Sequence, residues 1–445
     1  MTTAPTPLDS ESGIPRSSSP DDPPPPSIPK WTAFASYPVV AGTAVLAIAV
    51  GVAHGLGLDV SVLLETAHVR RGHLWRLITS ALPHGGLLHL IFNVYWLWVF
   101  GTAVERVLGH TRTLLLLLLF AYGSGALEYA LFTGGIGLSG VVYGLFGLLW
   151  VVSRRDGRFA HALDQRTTGL FIAWFFICIV MTVSGVYAVA NTAHGVGALL
   201  GVLAGLAITD ERRRRLCASA MAVVVLFGTW AATQGRPIVN LSSQGGVEEC
   251  LLGYEAQKTQ QHAVAAEWLR SAAAYRSMPD VCWFGLGFSE NALGRPAEAI
   301  AAYRKGAERG EVFAQAELGL AYARGGDGLP RDERMAVSWY LKAAGQGSAA
   351  AQNNLAWLYV DAADPSLRNP VEALSYAQKA VASEKGSENP GYLDTLAAAF
   401  FANHRCEEAA RTQQQALSLA AANEREDFQE RLEKYEGAAR TGACR

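Results

Sequence analysis

Two polar residues stand inside apolar, glycine-rich segments of this chain, and together they could carry out acyl transfer. Ser139 lies in the run Gly137-Leu138-Ser139-Gly140-Val141-Val142-Tyr143-Gly144, and His194 in Ala193-His194-Gly195-Val196-Gly197. Polar and ionisable groups are costly inside a bilayer, so those that occur there are candidates for function. A serine hydroxyl beside an imidazole is a nucleophile with its general base. A lone G-x-S-G is weak, because glycine and serine also serve as packing residues in membrane helices. The histidine strengthens it. Gly197, Gly201 and Gly205 follow His194 by three, seven and eleven residues, which puts all four on one side of a helix. Gly140, Gly144 and Gly147 form a similar stripe beside Ser139 and Tyr143. Packing the stripes together would bring His194 to Ser139. No Asp is placed to orient the imidazole, but Tyr143, one turn after Ser139, could pack against its ring.

A third element reads Pro83-His84-Gly85-Gly86-Leu87-Leu88-His89-Leu90-Ile91-Phe92-Asn93. His89 and Asn93 are four residues apart, hence on one helix face. Acyl transfer needs fixed donors where the oxyanion develops. The Asn93 amide, the His89 imidazole and the backbone N–H of Ser139 at a helix start are candidates. The alternative is plain hydrogen bonding between helices. No H-E-x-x-H occurs and acidic partners are absent nearby, so neither a metal nor another cofactor is expected.

These segments must be held by membrane helices. The chain has 445 residues, half of them hydrophobic, with a net charge of only -2. Apolar runs dominate from about 32 to 232, whereas 234–445 is Ala-rich and charged. About 20 apolar residues cross a bilayer. Seven candidates occur, at roughly 34–56, 87–104, 113–132, 138–153, 169–189, 192–208 and 216–232; the fourth and sixth are short and Gly-rich. Arginines 106, 112, 154, 155, 158, 166 and 212–215 flank one side, against Arg70, Arg71 and Arg76 on the other. The positive-inside rule then places the N-terminus in the cytoplasm, and seven spans put the C-terminal domain outside. The run at 212–215 reads as a topology anchor and not as a nucleic-acid site. Residues 1–30 hold nine of the 18 prolines and a Ser cluster, which predicts a disordered tail, without the basic start and apolar core of a signal peptide. Glu128, near the outer end of the third candidate, reads as solvated loop margin, the alternative being a substrate-facing role.

The chain order of these motifs resembles that of the bacterial rhomboid proteases: Trp75-Arg76, then His84, His89 and Asn93, then Glu105-Arg106, Gly137-Leu138-Ser139-Gly140 with Tyr143, and Ala193-His194 with Gly197 and Gly201. The resemblance covers about residues 34–210. It implies a six-helix core with one added helix, Ser139 as nucleophile and His194 as general base. It further implies oxyanion stabilisation by His89 and Asn93, and packing of Tyr143 on His194. Trp75-Arg76 would mark a membrane-embedded first loop, and Glu105-Arg106 a structural polar network. The substrates it implies are transmembrane proteins, cleaved within the lipid bilayer of a bacterial inner membrane.

Beyond the spans the pattern repeats. Residues 283–310 and 316–347 share a plan of Gly, Tyr and Lys/Arg-Gly/Ala positions, a third copy runs from Asn354 to Ala380, and a weaker fourth covers 391–421. Periods of about 34 to 38 residues indicate antiparallel helix pairs stacked as a solenoid. The copies resemble tetratricopeptide repeats, the second the longer Sel-like variety; 424–438 reads as a polar closing helix. The expected organisation is therefore all-α: a tail (1–30), a protease core (31–210), a seventh span (211–235) and a repeat domain (236–445) that binds a protein or peptide or acts as a spacer. Four cysteines, Cys250, Cys282, Cys406 and Cys444, fall in the repeats, where an extracytoplasmic setting permits disulfides; Cys250 and Cys282 are one repeat apart. The competing reading of the whole is a non-catalytic membrane adaptor. A transporter is disfavoured, since the spans show no internal repeat.

Overall fold

The computed structural model describes residues 28–442 except 327 and 384, so most of the Pro-rich tail and Cys444 lie outside the described residues. The chain divides into two compact units, one ending at Gln234 and one beginning at Gly235. Among the described residues both are helical, with one isolated bridge between Gly326 and Leu329.

The first unit contains seven long helices: α1 (Pro38–Gly55), α2 (Leu87–Leu108), α3 (His110–Leu131), α4 (Ser139–Arg155), α5 (Gln165–Val183), α6 (Asn191–Thr209) and α7 (Arg214–Ala232). Six of them are long and apolar enough to cross a bilayer; α4 has 17 residues and is instead buried among the others along nearly its whole length. Large apolar side chains such as Val45, Leu88, Val180 and Leu226 point outward, the surface that lipid covers in a membrane protein. Gly109 alone separates α2 from α3, and its φ of +79° suits glycine.

Between α1 and α2 the chain makes short helical turns, Ser61–Leu63, Ala67–Arg71 and Arg76–Thr79. Arg76 ties them together: its Nη1 donates to the Ser61 and Leu64 carbonyl oxygens and to Thr66 Oγ1 at 3.0–3.1 Å. Trp75 is half exposed and stacks on His73. At the other end of the bundle, Glu105 of α2 accepts the backbone N–H groups of Val39 and Val40, both at 3.0 Å, in the first turn of α1. Arg106 donates to the Tyr37 hydroxyl. These two residues join α2 to the start of α1.

α4 and α6 form the most intimate pair in the unit. A Cβ on Gly197 or Gly201 would collide with the carbonyl oxygens of Gly140 and Gly144, and one on Gly147 with the carbonyl of Ala198. The glycine stripes therefore allow backbone-to-backbone contact. The sequence pattern predicts stripe packed on stripe, but the two do not simply face each other. The bare Cα positions of Gly140 and Gly144 turn toward Ser124 and Phe120 of α3, so α4 is wedged between α3 and α6.

The second unit is a stack of helix pairs: α8 (Val247–Lys258) with α9 (His262–Ala272), α10 (Val281–Ala292) with α11 (Pro296–Glu308), α12 (Val312–Arg324) with α13 (Glu333–Gly345), α14 (Ala349–Asp361) with α15 (Pro370–Val381), and α16 (Pro390–Ala402) with α17 (Cys406–Leu419), closed by α18 (Arg425–Thr441). One pair, α8 and α9, precedes the first copy recognised in the sequence. The internal logic repeats: a glycine on the first helix of a pair receives a large side chain of the second, Gly253 with Leu269, Gly287 with Tyr303, Gly319 with Tyr340. First helices touch the first helices of the next pair, whereas second helices make no comparable contact, so the first helices form the inner wall of the curve. Cys250 and Cys282, on the first helices of adjacent pairs, form a disulfide with Cα atoms 5.8 Å apart. Cys406 is also disulfide-bonded, while Cys178 and Cys217 are free and buried.

Candidate active site

Ser139 is the first residue of α4, placed there by a turn that only glycine serves well. Gly137 has a φ of +102°, and a Cβ there would lie 2.8 Å from Cε1 of His89. The turn is held from several directions. The Gly137 N–H donates to the Ser80 carbonyl at 3.1 Å, and the Leu138 N–H donates to His84 Nε2 at 3.3 Å. His84 Nδ1 in turn donates to the Leu82 carbonyl at 2.8 Å, so its tautomer is set by this pair of bonds. Glu65, which the sequence reading passed over, accepts from Ser80 Oγ (2.8 Å) through one oxygen and from the Gly135 N–H (3.0 Å) through the other.

His194 sits in the first turn of α6, and its Nε2 is 2.9 Å from Ser139 Oγ. Tyr143, one turn along α4, stacks on the imidazole with ring centroids 4.6 Å apart. His194 Nδ1 is buried with no hydrogen-bond partner. Serine hydroxyl, imidazole and stacked phenol thus form one continuous contact, with no carboxylate behind the histidine.

His89 and Asn93 lie on the α2 face that borders the same space. Asn93 is 1% exposed, yet neither its amide nitrogen nor its oxygen has a partner. His89 packs edge-on to His84 and against Gly137. A cavity of about 710 Å³ connects these groups; Ser139, His194, Asn93 and His89 line it, and Phe92 of α2 and Trp174 of α5 flank it, their rings 5.9 Å apart. A buried amide with both ends unpaired is costly. Bordering a cavity that also holds a nucleophile–base pair, it is suited to receive an oxyanion. No group of three or more His, Cys, Asp or Glu side chains that could hold a metal occurs among the described residues.

Glu128 corrects the sequence reading. It is not solvated loop margin: it is 4% exposed, and its Oε2 accepts the N–H of Ala193 at 3.0 Å, at the start of α6. An acidic residue inside an apolar span was the available signal for it. Glu65 carried no comparable signal, because it lies in an irregular loop. Trp75, Arg76, Glu105 and Arg106 lie away from the cavity lining.

Residues 71–211 match the Rhomboid domain, and 312–348 and 349–383 match the Sel1 repeat. The rhomboid protease GlpG of Serratia proteamaculans is 34% identical over 143 residues, covering 32% of this chain and 50% of the relative. That of Yersinia pseudotuberculosis is 34% identical over 141 residues, covering 31% and 49%. The chain thus spans about half the length of the curated relatives it matches. A Sel1 repeat protein from Oxalobacter formigenes aligns with a TM-score of 0.33 at 21% identity, covering 41% of this chain and 76% of that one. The chain contains a rhomboid domain and Sel1 repeats, and its membrane unit is homologous to rhomboid proteases.

Proposed function

We propose that this protein is an intramembrane serine endopeptidase that cleaves membrane-anchored proteins in or near their transmembrane segments. The observation that carries the reading is the 2.9 Å contact of Ser139 Oγ with His194 Nε2 on the wall of a cavity among membrane helices. In the first step Ser139 Oγ bonds to the scissile carbonyl carbon while His194 Nε2 takes the hydroxyl proton. The resulting oxyanion is met by the Asn93 amide, with His89 and the Ser139 N–H as further donors. The C–N bond then breaks, His194 returns its proton to the departing amine, and an acyl-enzyme remains. Water, deprotonated by His194, attacks the ester carbon; the ester C–O bond to Ser139 then breaks, the new carboxyl terminus leaves, and His194 returns the proton to Ser139 Oγ. Tyr143 keeps the imidazole plane in place, and His84 with Gly137 and Gly140 shapes the serine turn.

The substrate segment enters between α2 and α5, whose Phe92 and Trp174 rings border the cavity. The arginine distribution supports a cytoplasmic N-terminus in a bacterial inner membrane and an extracytoplasmic repeat domain, a placement that suits its disulfides. There the solenoid binds the exposed part of a substrate or a partner protein and raises the local concentration of its transmembrane segment. The direct chemical test is a fluorophosphonate probe, which labels wild type and not Ser139→Ala. A wild type that stays unlabelled while folded in liposomes would support the adaptor reading instead.

A further inference from the structure

We infer that Glu128 is a positioning residue for His194: from α3 it caps the N-terminus of α6 and so holds the imidazole within reach of Ser139. The inference rests on the peptidase reading above. The first turn of a helix leaves N–H groups without intrahelical acceptors, and an N-cap side chain normally takes those of the second and third residues. In α6 the N-cap is Ala190, which has no side chain able to do so. The second and third residues are Thr192 and Ala193. The Ala193 N–H donates to Glu128 Oε2 at 3.0 Å, and Thr192 stands beside the same carboxylate. The cap that the local sequence lacks is thus supplied by a neighbouring helix, with a carboxylate at the electropositive end of α6.

Two further observations bear on it. The N-terminus of α1 likewise has no side-chain cap of its own and receives Glu105 of α2 on Val39 and Val40. Capping from another helix is therefore a recurring device in this unit. The second observation concerns the histidine. His194 is the residue after Ala193, and its Nδ1 has no partner. With no group on Nδ1 to aim the ring, its placement depends on the Tyr143 stack and on where the α6 backbone sits. The glycine contacts at Gly197 and Gly201 fix α6 further along, and Glu128 fixes the turn that bears the imidazole.

The test compares full-length wild type, Glu128→Ala, Glu128→Gln, Ala190→Ser and Glu128→Ala/Ala190→Ser in liposomes with one model transmembrane substrate. It reads kcat, KM, Tm and the rate of fluorophosphonate labelling. The expected result is a fall of roughly ten- to a hundredfold in kcat and labelling rate for Glu128→Ala, with KM within about twofold, as for a catalytic group displaced by a fraction of an ångström to an ångström. Glu128→Gln keeps one acceptor oxygen and loses less. Ala190→Ser places an acceptor at the N-cap itself, so the double variant recovers most of the lost rate. Wild-type kcat in Glu128→Ala overturns the inference. So does an equal loss in the single and double variants, which would make Glu128 a group acting on substrate instead of on α6. Should Glu128→Ala not fold, Glu128→Gln with and without Ala190→Ser carries the same comparison: recovery supports the cap and no recovery overturns it. An inactive, unlabelled wild type would count against the peptidase reading itself and is distinguished by being visible before any variant is made.

Discussion

The Tyr143 ring lies on the His194 imidazole, planes 26° apart, while its hydroxyl donates to the Phe171 carbonyl oxygen at 3.2 Å. Stacking and anchoring are thus separable in one side chain. Tyr143→Phe keeps the stack and removes the anchor, so its kcat falls only a few-fold. Tyr143→Ala removes both and leaves the imidazole free to rotate; a stacked pair is worth about 0.5–1.5 kcal/mol, and the loss of aim adds to that. Steady-state cleavage in liposomes measures the difference. Equal activities for the two variants would show that the ring does not position His194.

Asn93→Ala removes the amide that has no partner within the protein. In the better-studied soluble case the loss of one oxyanion donor costs roughly 100- to 1,000-fold in kcat. The expected loss here is smaller, because the His89 imidazole and the Ser139 N–H remain. KM should change little, and Tm should hold or rise, since an unsatisfied buried group disappears. Unchanged kcat with a lowered Tm would make Asn93 a packing residue.

The glycine contacts predict a graded series. Gly201→Ala places a methyl against the Gly144 carbonyl and Leu148 N, and overpacking of this kind costs typically 1–3 kcal/mol. Its Tm should fall and its labelling by a fluorophosphonate should slow, because α6 must move away from α4. At Gly195 the nearest atoms to an added Cβ are 3.9 Å away, so Gly195→Ala should keep wild-type Tm. The same Tm for both variants would contradict the close approach.

What the sequence revealed, and what it hid, follows from the range of the interactions. The glycines at three- and four-residue spacing announced a tight helix pair, because helical periodicity is local. The serine and histidine were legible for the same reason: each is an isolated polar group in an apolar run. Wedging of α4 against α3 was not legible, since Ser124 and Phe120 look like ordinary span residues until α3 is placed. Glu65 and Glu128 act on backbone groups about 70 and 65 residues away, and a backbone N–H carries no residue-type signature. In the second unit, Cys250 stands one repeat before Cys282, but α8 and α9 match no copy in the sequence because the pair bears Leu269 where the next pair bears Tyr303.

The Cys250–Cys282 bridge links residues 32 apart, and removing such a cross-link typically costs about 2–4 kcal/mol. Cys250→Ser/Cys282→Ser should lower the thermal transition of the repeat unit and spare cleavage of a minimal transmembrane substrate. Deleting 240–445 should likewise spare that substrate and impair natural ones. Natural substrates processed equally well by the truncated protein would reduce the repeats to a spacer.

The central claim is that Ser139 and His194 act as one catalytic unit. The measurement that tests it most directly is turnover of a model transmembrane substrate by wild type, Ser139→Ala, His194→Ala and the double variant, all purified and shown by Tm to be folded in liposomes. The account predicts cleavage by wild type only, with the double variant no worse than either single one, as for residues that work together. Substantial cleavage by folded Ser139→Ala would contradict it.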